Sequence, residues 1–302
     1  MFKRLELHNH TTESDAVFTC RELTDFMVAD HVDAFALTDH NTISGHDKIR
    51  KILKENNLPV SCIYGMEYTT YYGHILCLNL HEYVPWENIN KHKPELLFQA
   101  AKEKGALTGI AHPYSMGWPF ARGCRFEMNM TDYSCCDFIE ISNNLEPLHE
   151  VNERGLLLWE NLVLSGERLA ATCGMDLHGN SSLHGHYSTY IEGEENGDIE
   201  KELETAICSQ KTWVSKGPLL LTHIQDGTLS FYVQQTGKPG YQPPEDESYL
   251  ITLRTVSGTI TCRLHDTVSL EDFGNATCII PKLYEKESIM ENLVCVSPVI
   301  SI

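Results

Sequence analysis

The sequence predicts an α/β protein with a C-terminal all-β extension. Three observations indicate this class. Apolar, strand-like runs alternate with helix-like segments over residues 3–215, reactive polar residues follow those runs, and the pattern changes after residue 216. Repeated strand–helix units of this length favour a parallel sheet covered by helices. The sequence therefore predicts two parts, residues 1–216 and residues 217–302.

The first part begins with strands and helices in alternation. Its first five predicted strands are Lys3–Leu7, Ala34–Thr38, Val60–Tyr64, Ile75–Leu80 and Leu107–Ala111. Thr19 and Glu22 form a capping-box pattern that opens a helix ending at about Asp30. Ser44 is predicted to cap a second helix, which runs to Asn56. A third helix is expected after Pro94.

The pattern continues to residue 215 and then becomes purely β-like. The remaining elements of the first part are the strands Phe138–Ile141, Leu169–Cys173 and Thr212–Ser215 and the helices Glu150–Ser165 and Asp198–Gln210. Two hairpins follow, Leu219–Gln225 with Thr228–Gln234 and Tyr249–Val256 with Thr259–Leu264. We expect this extension to be a small sandwich or an added sheet that serves packing or oligomer formation.

Composition limits the possible functions. The 302 residues are 42% hydrophobic, and no apolar run is long enough for a transmembrane helix. The first ten residues do not read as a signal peptide, so a cytoplasmic location is expected. A net charge of −19 disfavours binding to a nucleic-acid duplex or an anionic membrane. The eleven cysteines include no CxxC pair and are expected to be reduced and mostly buried.

Histidines and carboxylates cluster directly after the predicted strands. The clusters contain His8, His10, Asp15, Asp39, His40, Glu67, His74, His112, Asp176 and His178. In barrels of strand–helix units, reactive groups lie at the carboxyl ends of the strands. Each residue alone is more often structural, but the set together is typical of a multi-metal centre. In the Asp39-His40 pair only one side chain need be a ligand; we assign His40, with Asp39 supporting it by hydrogen bonding.

The order of these motifs resembles the PHP family, named for polymerase and histidinol phosphatase. The chain contains the family's HxH, TDH-like, Glu-bearing, His-Pro and DxH segments in that order. The stretches GMEYTTYYGHILCLNL, AHPY, DFIEISN, GMDLHG and TWVSKGP resemble the CehA/McbA-type metallohydrolases of that family. The resemblance covers about residues 3–218.

The resemblance implies a distorted seven-stranded (β/α) barrel, similar to a TIM barrel, with two or three divalent ions. The first ion would be held by His8, His10, Glu67 and Asp176, the second by Glu67, His74 and His112, and the third by Asp15, His40 and His178. Glu67 would bridge the first two ions. Imidazole and oxygen donors of this kind suit Zn, Mn or Fe, and the sequence does not choose among them.

The implied activity is a phosphoesterase that releases phosphate from a small phosphorylated metabolite or nucleotide. A metal-bound hydroxide, held by Glu67, His8, His10 and Asp176, would be the nucleophile. The predicted substrate-binding residues are Arg122, His186 and Asn143, and Glu140 is a candidate supporting carboxylate. The alternatives are a carboxylic or carbamate ester hydrolase on the same centre and a barrel that binds metal or ligand without turnover. A proofreading exonuclease is disfavoured by the charge.

Overall fold

The computed structural model describes residues 1–87, 89–116, 123–144, 149–244 and 248–302. Its helices are α1 (Cys20–Ala29), α2 (His46–Asn56), α3 (Glu95–Glu103), α4 (His149–Leu164) and α5 (Ile199–Cys208). The strands up to residue 215 are β1 (Phe2–Glu6), β2 (Ala34–Leu37), β3 (Ser61–Thr70), β4 (Gly73–Leu78), β5 (Leu107–Ile110), β6 (Phe138–Asn143), β7 (Ala170–Gly174), β8 (Ser188–Glu192) and β9 (Trp213–Ser215). The later strands are β10 (Leu219–Gln225), β11 (Thr228–Gln234), β12 (Tyr249–Thr255), β13 (Gly258–Arg263), β14 (Val268–Ser269), β15 (Cys278–Glu285), β16 (Leu293–Val296) and β17 (Ile300–Ser301).

The fold is mixed α/β, as predicted, but its central sheet is not wholly parallel. The strands follow the order β8-β1-β2-β3-β4-β5-β6-β7. Neighbours are parallel from β1 to β3 and from β5 to β7, whereas β4 and β8 run antiparallel to theirs. The prediction of a parallel sheet was wrong at β4 because Tyr71 and Tyr72 form a two-residue turn between Thr70 and its partner Gly73. So short a connection joins only antiparallel strands.

The strand pairing does not show a closed seven-stranded barrel. The part of the sheet from β8 to β7 contains eight strands, and β7 and β8 are joined by a side chain. The Thr189 hydroxyl accepts from the Cys173 N–H at 2.9 Å and donates to the Cys173 carbonyl at 3.0 Å. The ends of the sheet are therefore close, and a threonine takes the place of a backbone ladder there.

Of the strands after residue 216, β12, β13, β15, β16 and β17 extend the same sheet, whereas β10, β11 and β14 form a separate three-stranded sheet. β16 pairs with β9, and the order continues through β15 and β12 to β13. Both predicted hairpins, β10 with β11 and β12 with β13, are confirmed. The sequence did not predict β15, which is buried between β12 and β16. The division of the chain after residue 216 stays a prediction.

The helix starts agree with the sequence in one case and not in another. The Thr19 capping box is confirmed: its hydroxyl accepts from the Glu22 N–H at 3.2 Å, and the Glu22 carboxylate accepts from the Thr19 N–H at 2.8 Å. The prediction that Ser44 caps α2 was wrong, because Gly45 occupies the N-cap without a side-chain bond. The Ser44 hydroxyl instead donates to Glu13 at 2.7 Å.

A buried ion cluster joins α4 to the C-terminal strands. Glu160 is fully buried, and its carboxylate contacts Arg254 of β12 and Lys282 of β15, the latter at 2.5 Å. All eleven cysteines are free and eight are buried, as predicted. Within the described residues, the helices are too short or too polar to cross a bilayer.

Candidate metal centre

The structure brings the nine predicted ligand side chains into one cluster. Their donor atoms form overlapping groups in which any two atoms lie within 4.8 Å. The groups are His8, His10, Glu67 and Asp176; Glu67, His74 and His112; and His10, Asp15, His40 and His178. A further group contains His8, His112 and Glu140. The first two match the predicted sets, and the third contains His10 in addition.

The HxH segment is oriented by the asparagine between its histidines. The Asn9 side chain donates to the carbonyls of Glu6, at 2.9 Å, and Ala36, at 3.0 Å. Its N–H donates to the Thr38 hydroxyl at 3.0 Å. These bonds fix Asn9 against β2 and leave His8 and His10 on the side of the carboxylates.

Glu67 lies at the centre of the cluster and is fully buried. One carboxylate oxygen, Oε1, lies 2.7 Å from His74 Nδ1 and 3.0 Å from His112 Nε2. The other, Oε2, lies 2.8 Å from His40 Nδ1, 3.2 Å from His8 Nε2 and 3.4 Å from His10 Nε2. Each oxygen thus faces a different set of imidazoles, which is the arrangement needed by a carboxylate that contacts two ions.

Asp176 completes the first group. Its Oδ1 lies 2.9 Å from His10 Nε2 and 3.4 Å from His8 Nε2. Asp176 and His112 have φ angles of 52° and 25°, in the left-handed region that non-glycine residues seldom adopt. Such strained backbone is concentrated at functional sites, where the surrounding structure enforces it.

The third group lies nearer to solvent than the other two. The Asp15 side chain is 61% exposed and that of His178 is 38% exposed, whereas those of His8 and His10 are inaccessible. Asp15 Oδ1 lies 3.3 Å from His178 Nε2 and 3.5 Å from His40 Nε2. The group therefore forms the outer edge of the cluster.

Asp39 organises the loop that carries Asp15. Its carboxylate accepts from the Thr11 N–H and the Ser14 hydroxyl, both at 2.7 Å, and from the Thr11 hydroxyl at 2.8 Å. The sequence predicted that Asp39 would support His40 by a hydrogen bond. In the structure the Thr69 hydroxyl, which sequence analysis missed, contacts His40 Nδ1.

Glu140 of β6 supports two of the histidines. It is 1% exposed, and its Oε1 lies 3.0 Å from His8 Nδ1. Its Oε2 accepts from the His112 N–H at 2.9 Å and from the Asn143 amide at 3.2 Å. Because the carboxylate holds His8 Nδ1, it directs His8 Nε2 toward Glu67 and Asp176. The Asn143 side chain, predicted to bind substrate, reaches the centre through Glu140.

The other predicted substrate-binding residues lie in different situations. His186 is half-buried in a narrow cleft lined also by Gly174, Met175 and Tyr187. The cleft adjoins the cluster, since a Cβ on Gly174 would lie 2.3 Å from the Cβ of His8. Only glycine fits at this position. Arg122 lies outside the described residues.

Comparisons with known proteins agree with the motifs. Residues 6–118 match the PHP domain model. An uncharacterized protein from Methanocaldococcus jannaschii is 32% identical over 123 residues, which cover 37% of this chain and 68% of that protein. The chain belongs to the PHP family.

Two further comparisons relate this PHP protein to a shorter matching segment of a curated protein and to a solved structure. A 5'-3' exoribonuclease from Haemophilus influenzae is 37% identical over 83 residues, or 26% of this chain and 30% of that protein. A solved two-domain protein from Bacteroides vulgatus is described as containing a predicted PHP-like metal-dependent phosphoesterase. The match covers 100% of this chain and 95% of that protein. Its TM-score is 0.57 at 15% identity, so the likeness concerns the fold.

Burial and charge act against each other in the PHP centre. Burial alone would lower the pKa of His8, but Glu140, Glu67 and Asp176 outweigh it and raise that pKa well above its usual value. The same competition raises the pKa of His112 to about 9, chiefly through Glu67. Burial would raise the pKa of Glu67, yet His74 and His8 hold it well below its usual range.

The donor set fits divalent cations. Among the described residues, the buried atoms His8 Nε2 and His10 Nδ1 have no hydrogen-bond partner. Buried polar atoms without partners are rare in folded proteins. Imidazole nitrogens and carboxylate oxygens are ligands of Zn, Mn and Fe, and a cation in the first group would satisfy His8 Nε2.

We expect opposite pH dependence for the stability of the chelator-treated protein and for its stabilisation by metal. The folded pKa of His112, about 9, exceeds its ordinary value of about 6.5, so its stabilising contribution is complete below about pH 6.5 and is lost as the pH rises through about 9. A metal ion binds only the deprotonated imidazole, so the stabilisation of the protein by added Mn²⁺ should increase as the pH rises through this window. Thermal unfolding between pH 6 and pH 9.5, with and without Mn²⁺, measures both trends. If the unfolding temperature changed with pH in the same way in both conditions, the assignment of His112 as a metal ligand would be contradicted.

Proposed function

We propose that this PHP protein is a metal-dependent phosphoesterase that releases phosphate from small phosphorylated metabolites or nucleotides. The observation that carries the proposal is the position of Glu67, whose two oxygens face separate sets of imidazoles. The phosphoesterase described for the Bacteroides vulgatus protein supports the same reaction class. The net charge of −19 favours a small-molecule substrate over a nucleic-acid duplex.

The proposed ligands are the nine clustered side chains. The first ion would be held by His8, His10, Glu67 and Asp176, the second by Glu67, His74 and His112, and the third by Asp15, His40 and His178. Two or three ions of Zn, Mn or Fe would lower the pKa of a bound water and neutralise phosphate oxygens. The buried first and second groups are expected to hold their ions more firmly than the exposed third.

The remaining residues would position these ligands and the substrate. Glu140 fixes His8, and Asp39 holds the loop that places Asp15 at the outer edge. His186 lies in the cleft beside Gly174 and is proposed to contact the part of the substrate that leaves. Arg122 remains the proposed phosphate-binding cation, because a guanidinium can hold two phosphate oxygens at once.

A substrate panel tests the proposal. Phosphomonoesters, nucleoside monophosphates, nucleoside bisphosphates and aryl carboxylic esters are offered to protein loaded with Mn²⁺, and phosphate or phenol release is followed. We expect phosphate release that chelation abolishes and Mn²⁺ restores. Turnover of aryl esters alone would favour the carboxylic ester hydrolase, and metal binding without turnover would favour the binding protein. Either result would overturn the phosphoesterase.

Two single histidine variants, one inside the cluster and one outside it, test the assignment of the ligands. The His112→Ala protein should lose metal and phosphate release together, because its Nε2 lies 3.0 Å from Glu67. His92→Ala, which removes an exposed histidine bonded to Asn129, should leave both unchanged.

A further inference from the structure

The loop of residues 178–187 connects two sides of the candidate centre. It begins at His178, a member of the third group, and it ends at His186 and Tyr187, which line the cleft beside Gly174. Bonds within the loop are short-range ones, such as the Ser181 N–H to the Gly179 carbonyl at 2.8 Å. The second half of this loop depends on contacts from elsewhere.

The contacts to Gly185 and His186 come from residues 235–241, between β11 and β12, whereas the Tyr187 hydroxyl donates to the Leu293 carbonyl at 2.7 Å. The ammonium of Lys238 donates to the His186 carbonyl, and the Gly185 N–H donates to the Pro239 carbonyl at 3.3 Å. Gly240 packs so closely that a Cβ there would lie 2.2 Å from the Gly185 nitrogen. The 235–241 segment therefore lies directly against the 178–187 loop.

The 235–241 segment is itself anchored to the sheet. The Thr236 hydroxyl donates to the Gly217 carbonyl at 2.7 Å and lies 3.3 Å from the Tyr190 hydroxyl of β8. The Tyr241 hydroxyl lies 3.1 Å from that of Tyr249 in β12. Both ends of the segment are thus held, and it can act as a fixed support.

Lys238 also interacts electrostatically with the strand that precedes the HxH motif. Its side chain is buried, and its ammonium is attracted by the carboxylate of Glu6, two residues before His8. Glu6 accepts from the Ser188 hydroxyl at 2.5 Å through Oε1, while its buried Oε2 has no hydrogen-bond partner among the described residues. A buried ammonium is unfavourable unless it is hydrogen-bonded or paired, so the bond to the His186 carbonyl holds Lys238 in place and the charge of Glu6 favours its protonated form.

We infer that the 235–241 segment positions the substrate side of the metal centre, with Lys238 as the positioning residue that fixes His186 relative to the sheet. This assigns a role to part of the C-terminal extension. The inference rests on the proposed function for its kinetic consequence, while the structural link between Lys238 and the 178–187 loop can be tested without any substrate.

The test compares two buried lysines. Lys238→Met keeps the side-chain length and removes the ammonium, and Lys282→Met does the same at the ion cluster with Glu160, which lies outside the centre. Both variants are expected to unfold at lower temperature. Only Lys238→Met should raise the KM for the best phosphomonoester, by about tenfold, with a smaller change in kcat and unchanged metal content. In Lys238→Arg the KM should return most of the way to the wild-type value.

Hydrogen exchange supplies the measurement that needs no activity. The amides of residues 184–187 should exchange faster in Lys238→Met than in Lys282→Met at equal temperature, because the Gly185 N–H loses its fixed partner. If Lys238→Met does not fold, Gly240→Ala provides a second variant that pushes the segment from the loop. Equal KM values and equal exchange in the two lysine variants would overturn the inference. A wild-type protein without phosphatase activity would remove the proposed function but leave the exchange result decisive.

Discussion

Glu67→Gln is expected to reduce the rate of metal-dependent phosphate release by about a thousandfold or more, since losing the charge stabilisation that bound ions provide raises the activation free energy by about 4 kcal/mol. The substitution keeps the size of the side chain and removes its charge. Two sets of imidazoles then lose the carboxylate that they share. An amide nitrogen cannot bind a cation, so one of the two sets would also lose its oxygen ligand.

The experiment requires a control for the burial of a neutralised carboxylate. Glu160 is equally inaccessible and lies in the ion cluster with Arg254 and Lys282. Glu160→Gln should lower the free energy of unfolding yet retain metal and kcat. Metal content by elemental analysis and kcat at saturating Mn²⁺ separate the two variants. A Glu67→Gln protein that keeps two ions and activity within tenfold of wild type would refute the bridging role.

Local patterns predicted the elements of the fold better than their pairing. Capping at Thr19, the hairpin turn before Thr228 and the buried apolar runs are local features, and the structure has them. The direction of β4 was missed because the predicted strand stopped at Tyr64, six residues before the end of β3. With β3 extended to Thr70, only the Tyr71-Tyr72 turn remains, and that turn requires an antiparallel partner.

The sequence identified the residues of the candidate centre, because imidazoles and carboxylates at strand ends are conspicuous. It could not predict which atoms would meet. His10 adjoins both the first and third groups, and Asp39 bonds Thr11 and Ser14, since these contacts depend on how loops from distant parts of the chain pack together. Asn9 offered a signal that was overlooked: a buried amide between two histidines must itself be hydrogen-bonded.

Glu140→Gln is the second variant for which a large effect is expected, and its effect concerns the tautomer of His8. A carboxylate accepts hydrogen bonds and does not donate them, so in the neutral imidazole Glu140 keeps the proton of His8 on Nδ1 and leaves Nε2 to bind an ion. A glutamine amide could donate to Nδ1 and would then place the proton on Nε2. We expect the affinity for Mn²⁺ to fall by about 10- to 100-fold.

The measurement must separate metal affinity from turnover. The concentration of Mn²⁺ that gives half-maximal phosphate release should rise in Glu140→Gln, while kcat at saturating Mn²⁺ should recover to near the wild-type value. Glu160→Gln again controls for a neutralised buried carboxylate. If Glu140→Gln kept its affinity for Mn²⁺ and lost kcat, the carboxylate would act on the substrate instead. The fourth donor group, His8 with His112 and Glu140, would then be part of the reacting site and not only its support.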